Sequence, residues 1–103
     1  MIYSLGFQHL HQLTLDCDVV DVRKIQNPHL LLALDGTHQE VQDFVMASPN
    51  AAPALARGLQ LIAEGEDVYF LCSRGKHRSV ALAEILHKLT DVPVTHLSLK
   101  EEK

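Results

Sequence analysis

Eight consecutive positions, Cys72-Ser73-Arg74-Gly75-Lys76-His77-Arg78-Ser79, bring together a thiol, two hydroxyls, three cations, an imidazole and a glycine. Such a set suits the binding of an oxyanion. The apolar run Val68-Tyr69-Phe70-Leu71 before it reads as a buried strand, and apolar residues recur with helical period from Ser79 onward. A loop joining a strand to a helix meets the first-turn amides, which lack intrahelical acceptors, and the positive end of the helix dipole. Gly75 lets the backbone curl so that several N–H groups converge. Arg78 can then hold the anion as a two-pronged fork; its competing structural role is a salt bridge to Asp21. Lys76 and Arg74 add charge at the mouth. Ser73 and Ser79 can donate hydroxyl hydrogen bonds, although a serine at a helix start also serves as a cap.

The elements that must position this loop are legible in outline. Met1 to Leu5 reads as a first strand ending at Gly6, and the segment from Phe7 to Leu13 as one helical turn or a loop. Asp18 to Val22 is apolar enough for a second, central strand, which leaves Asp21 near its end and Arg23 and Lys24 just beyond. Asn27-Pro28-His29 signals a turn. A short helix or lid is expected between Leu30 and Gly36. Thr37 with Glu40 forms a capping-box pattern ahead of the Val41, Phe44 and Val45 stripe. Asn50 opens a second helix with Leu55, Leu59, Ile62 and Ala63 inward, closed by Gly65. After the third strand, Asp67 to Leu71, a helix over Ser79–Leu89 turns Val80, Leu82, Ala83 and Leu86 inward, and Val94 to Ser98 is the last strand.

Alternating strands and helices predict an α/β domain, a small, mainly parallel sheet of about four strands with helices on both faces. Ligands of such sheets bind at the carboxyl ends of the strands. That edge gathers Gly6 to His9, Asp21 to Arg23 and Cys72 to Arg78.

With 103 residues, 47% of them hydrophobic, the chain fits a single soluble domain with a real core. No apolar run reaches membrane-spanning length, and the N-terminus lacks the pattern of a signal peptide. Two cysteines, Cys17 and Cys72, make no disulfide framework, so a cytoplasmic location is expected, with Cys17 structural. The net charge of -4 disfavours broad nucleic-acid binding, while Arg23, Lys24, Arg74, Lys76 and Arg78 suffice for a local basic patch. The seven histidines show no HxxxH spacing and there is no CxxC, so neither a metal site nor a cofactor is expected.

Two resemblances bear on function. Cys72 to Ser79 fits Cys-x5-Arg-Ser and resembles the phosphate loop of cysteine-dependent phosphatases. That likeness implies a Cys72 thiolate nucleophile, with Asp21 or Asp35 as the acid for the leaving oxygen. The alternative for Cys72 is a small buried residue closing the strand. The second resemblance spans nearly the whole chain. Ser4-Leu5-Gly6-Phe7-Gln8-His9, Asp21-Val22-Arg23-Lys24-Ile25-Gln26-Asn27-Pro28-His29 and Cys72-Ser73-Arg74-Gly75-Lys76-His77-Arg78-Ser79-Val80 look, in that order, like the C-terminal domain of the RNase adapter family RapZ. Val41 to Val45 and Pro49 also fall where that pattern puts them. The resemblance implies an α/β domain that binds an amino-sugar phosphate, presents a small regulatory RNA to a nuclease and self-associates as a homo-oligomer. It implies that His9, His29 and His77 contact sugar hydroxyls or phosphate oxygens, and that Asp21 orients Arg78 or binds an amine of the ligand. Arg74 stands where the family usually has glycine, and no Walker loop occurs in the chain.

Overall fold

The computed structural model of the protein describes residues 1–12, 19–25 and 34–99. In chain order the elements are β1 (Ile2–Gly6), a 3-10 helix (Phe7–Gln12), β2 (Val19–Asp21), α1 (Gln39–Met46), α2 (Ala51–Ala63), β3 (Val68–Cys72), α3 (Arg78–Thr90) and β4 (Val94–His96). The two five-residue apolar runs, β1 and β3, lie side by side at the centre of the sheet. Their parallel register runs from Ile2 opposite Val68 to Gly6 opposite Cys72. Short β2 adds to β3 and short β4 to β1, giving the order β2-β3-β1-β4 with every pairing parallel.

Strand alternation divides the sheet residues between two faces. Ile2, Val68, Phe70 and Cys72 share one core with Val41 and Val45 of α1, Leu61 of α2, and Ala81, Leu82 and Leu86 of α3. Tyr3 and Tyr69, register partners, turn to the other face and stack with ring centroids 4.7 Å apart. Along the sheet, the connections β2 to β3 and β3 to β4 run one way and β1 to β2 runs the other. The right-handed rule accordingly puts the 3-10 helix that follows β1 toward the Tyr3 face, opposite α1, α2 and α3. Neighbouring β1 and β3 therefore send their chains to opposite faces. The edge beyond their carboxyl ends is a topological switch point.

Local chemistry adjusts several element boundaries. α1 starts with His38 as its N-cap and no side-chain cap bond, one residue later than the capping-box pattern predicts. Asp35 is the reason: its Oδ1 accepts the Thr37 N–H at 2.8 Å and also the Thr37 hydroxyl, so that side chain is already engaged. Asn50 does precede α2, but its Nδ2 donates to the Lys24 carbonyl at 3.2 Å rather than capping the helix. Within α2, Ala51, Gly58 and Leu61 are buried, and the predicted Leu55 and Ile62 pack partly buried against the core. Leu59, predicted inward, is 41% exposed. Gly58 is where α2 crosses closest, since a Cβ there would press on Leu86 and Phe70. The last strand stops at His96, short of the predicted Ser98. There His96 joins β4 to its neighbours: Nε2 donates to Glu84 Oε2 at 2.7 Å, and Nδ1 lies 2.6 Å from the Ser4 hydroxyl. Cys17, the Asn27-Pro28-His29 turn and most of the expected lid lie outside the described residues. No helix among the described residues is long and apolar enough to cross a membrane.

Leu86→Ala is expected to destabilise the fold by about 2–5 kcal/mol. Leu59→Ala, on the same kind of residue at the exposed face of α2, is expected to change stability by less than about 0.5 kcal/mol. Urea denaturation of the two variants checks the contrast.

Candidate functional site

Gly75, at φ 71°, turns the chain from the end of β3 toward α3 in the left-handed conformation that glycine favours. A Cβ there would overlap the Gly6 nitrogen and lie 2.6 Å from the Ser98 Cβ, so the turn sits directly against the end of β1. The Gly75 N–H points back to Cys72 Sγ at 3.1 Å, which curls the loop over the strand end. α3 then begins after His77 with no side-chain cap, leaving its first-turn amides at the loop.

Three strand-end loops meet here. Phe7, the first residue after β1, donates its N–H to the Ser73 carbonyl at 3.3 Å. Gln8 Nε2 donates to the Arg74 carbonyl at 3.2 Å. From α3, Arg78 reaches across to the loop after β2: Nη1 donates to the carbonyls of Arg23 at 2.7 Å and Ile25 at 3.2 Å, and Nη2 donates to Ser73 Oγ at 3.1 Å. Arg78 is only 8% exposed. The competing Asp21–Arg78 salt bridge does not form. Asp21 instead pairs with Arg23, whose Nη2 lies 2.7 Å from Oδ2 and whose Nε lies 3.0 Å from Oδ1. Arg23 in turn lies over the Phe7 ring, 5.1 Å from its centroid.

The predicted site residues among those described are thus gathered at one edge, some at its surface and some buried. Ser73 and Arg74 are exposed and Lys76 half-buried at the mouth, whereas His77, Arg78 and Ser79 are buried beneath it. Buried His9 lies with Nδ1 2.7 Å from Ser98 Oγ, and Ser98 Oγ also accepts the Gly6 N–H at 2.7 Å. Sequence reading missed Ser98 as a site residue because it placed it in a strand. Its signal was position alone, just beyond the carboxyl end of the strand beside β1. Gly36 was missed too; its N–H donates to the Lys76 carbonyl at 2.8 Å, docking the turn before α1 onto the loop. His29 lies outside the described residues.

Cys72 is 2% exposed, with Sγ 3.1 Å from Ser79 Oγ as well as from the Gly75 N–H. Both carboxylates considered as acids are held ionised. The Arg23 hydrogen bond outweighs burial and keeps Asp21 below its ordinary range. Burial pushes Asp35 up, but hydrogen bonds from Thr37 and the neighbouring His38 more than offset it and leave a net lowering. Carboxyls held as anions are poor proton donors at neutral pH.

Gly75→Ala combines left-handed strain with a backbone clash and is expected to cost about 2–4 kcal/mol. Gly65→Ala, at φ 78° with open space around it, is expected to cost only about 1 kcal/mol; thermal unfolding separates them. Because Asp21 is depressed in the folded state, its contribution is full above the unfolded value of about 3.9. That contribution is lost as pH falls through the lower folded value. An acid titration of stability should therefore be shallower in Asp21→Asn, and only slightly, since the pair is solvent-screened.

Residues 1–100 match the RapZ C-terminal domain family. A protein of Mycobacterium leprae named as nucleotide-binding is 40% identical over 100 residues, covering 82% of this chain and 33% of that protein. Proteins of the same name from Mycobacterium marinum and Mycobacterium tuberculosis are each 40% identical over 100 residues and 82% of this chain, with 32% and 33% of their own lengths covered. The chain spans about a third of the length of the curated relatives it matches. By sequence match, and with the parallel sheet in keeping, the chain belongs to the RapZ C-terminal domain family.

Proposed function

We propose that this domain is a regulatory module that binds a phosphosugar, its phosphate lodged against the outer side of the β3–α3 loop, beside Arg78 and Lys76. One observation carries the proposal. Arg78 is a buried cation at the positive end of a helix, and its hydrogen-bond partners are all neutral: two carbonyls and a hydroxyl. Among the described residues no carboxylate pairs with it. Buried charge is costly without a counter-charge, and a cation at a helix N-terminus faces the wrong end of the dipole. A bound dianion relieves both at once. Lys76 and Arg74 stand at the mouth to meet it, and the uncapped amides of α3 supply donors.

The overall charge of -4 favours a small anion over a long polyanion as ligand. The relatives' name, nucleotide-binding protein, describes chains of which this domain matches about a third; a phosphate group is the chemistry that name shares with this loop. A cysteine-phosphatase role is the weaker alternative on geometry, because Cys72 is buried and both carboxyls considered as acids are held as anions.

Calorimetric titration with inorganic phosphate and with a hexosamine phosphate tests the proposal. Saturable binding is expected for both, weakened about tenfold in Lys76→Ala, the loss of one charge-assisted hydrogen bond. Absence of saturable binding at millimolar ligand, or an affinity indifferent to Lys76→Ala, overturns it.

A further inference from the structure

Gln42 is a buried amide on a face of α1 whose other buried residues are Val41 and Val45. An apolar side chain would serve packing alone there, since burying an amide is costly unless its hydrogen bonds are made. Both ends of this amide are bonded. Nε2 donates to the Gly36 carbonyl at 3.0 Å, and Oε1 accepts from Lys88 Nζ at 2.6 Å. Gly36 extends the connection, because its own N–H donates to the Lys76 carbonyl at 2.8 Å. From this unbroken chain of bonds we infer that Gln42 is a positioning residue of the β3–α3 loop. It touches no ligand and acts by holding Lys76 in place through the turn before α1. The inference rests on the phosphate site proposed above.

The chain of bonds starts at Lys88 in the last turn of α3, crosses to α1 at Gln42, and returns through Gly36 to the loop just ahead of the first turn of α3. One helix therefore carries both ends, and the loop is fixed relative to it. Gly36 is the stiff link. A Cβ there would lie 2.3 Å from the Ala81 nitrogen and 2.5 Å from the His77 carbonyl oxygen, so the turn rests directly on the backbone of α3. Asp35 secures the next residue, its Oδ1 accepting the Thr37 N–H at 2.8 Å. Gly36 is buried, and its two main-chain polar groups go to Lys76 and to Gln42. Removing the Gln42 donor leaves a buried carbonyl unsatisfied, a cost that the turn relieves only by shifting and taking the Lys76 main chain with it.

Titration of the native chain, Gln42→Met, Lys76→Ala and the double variant with inorganic phosphate tests the inference. Methionine keeps the length of the side chain and offers Gly36 no N–H. Gln42→Met is expected to bind phosphate about fivefold more weakly. With Lys76 no longer held, Lys76→Ala should cost less than about threefold in the Gln42→Met background, against about tenfold in the native chain. Native affinity in folded Gln42→Met, or an undiminished Lys76→Ala effect in its background, overturns the positioning role while leaving the phosphate site standing. Should Gln42→Met not fold, Gln42→Glu keeps the length and the Lys88 partner but likewise gives Gly36 no N–H. Gln39→Glu matches its added charge, since Gln39 Oε1 also accepts from Lys88 Nζ, at 3.1 Å. Weaker phosphate binding in Gln42→Glu than in Gln39→Glu is expected, and equal losses overturn the role. Absence of saturable phosphate binding by the native chain overturns the phosphate site, and the positioning role with it.

Discussion

The guanidinium of Arg78 is the member on which the rest of the carboxyl edge depends. It leaves the first turn of α3, passes under the loop and ends on the main chain that follows β2. In doing so it ties the start of a helix to two strand ends that the sheet alone would leave as separate loops. Main-chain carbonyls are suitable partners for such a tie because their positions are set by the backbone, with no rotamer to fix. They are also neutral, so the tie fixes geometry without discharging the cation. Rigidity and a standing positive potential thus come from one side chain, and both are useful to a receptor for a small anion.

Around that tie, close approach is secured by what is missing. Gly6 and Gly75 meet where the switch point opens, and neither has room for a side chain. Gly36 does the same service against the start of α3. Ser98 fills the remaining space with a hydroxyl that bonds both the Gly6 N–H and His9. Glycines, a serine and a buried arginine form the floor, and the freely charged groups are kept for the rim.

Much of this was legible in the chain because two strong signals coincide. The apolar run from Val68 and the helical period from Val80 bracket a loop rich in cations and hydroxyls, and the strand-end rule then gathers Gly6 to His9 and Asp21 to Arg23 beside it. What was not legible depended on competition between side chains. The partner of Asp21 turned out to be its near neighbour Arg23, where local geometry wins over a longer reach to Arg78. Asp35 captured Thr37 before Thr37 was able to cap α1. In α2 the predicted Leu55 and Ile62 do pack on the core, but the close crossing at Gly58, which only the packed structure reveals, centres the buried face on Ala51, Gly58 and Leu61 and leaves Leu59 in solvent. Ser98 escaped notice since nothing in its type distinguishes it from any serine at the end of a strand.

Among the described residues, the strands at the two edges of the sheet, β2 and β4, are three residues long each, and β4 is pinned inward through His96. Strands this brief present too little unpaired main chain to template another ribbon. Among the described residues these edges therefore offer little template for growth of the sheet from one copy into the next. The most exposed backbone of a parallel sheet, its usual route to fibrous aggregation, has been trimmed nearly to nothing.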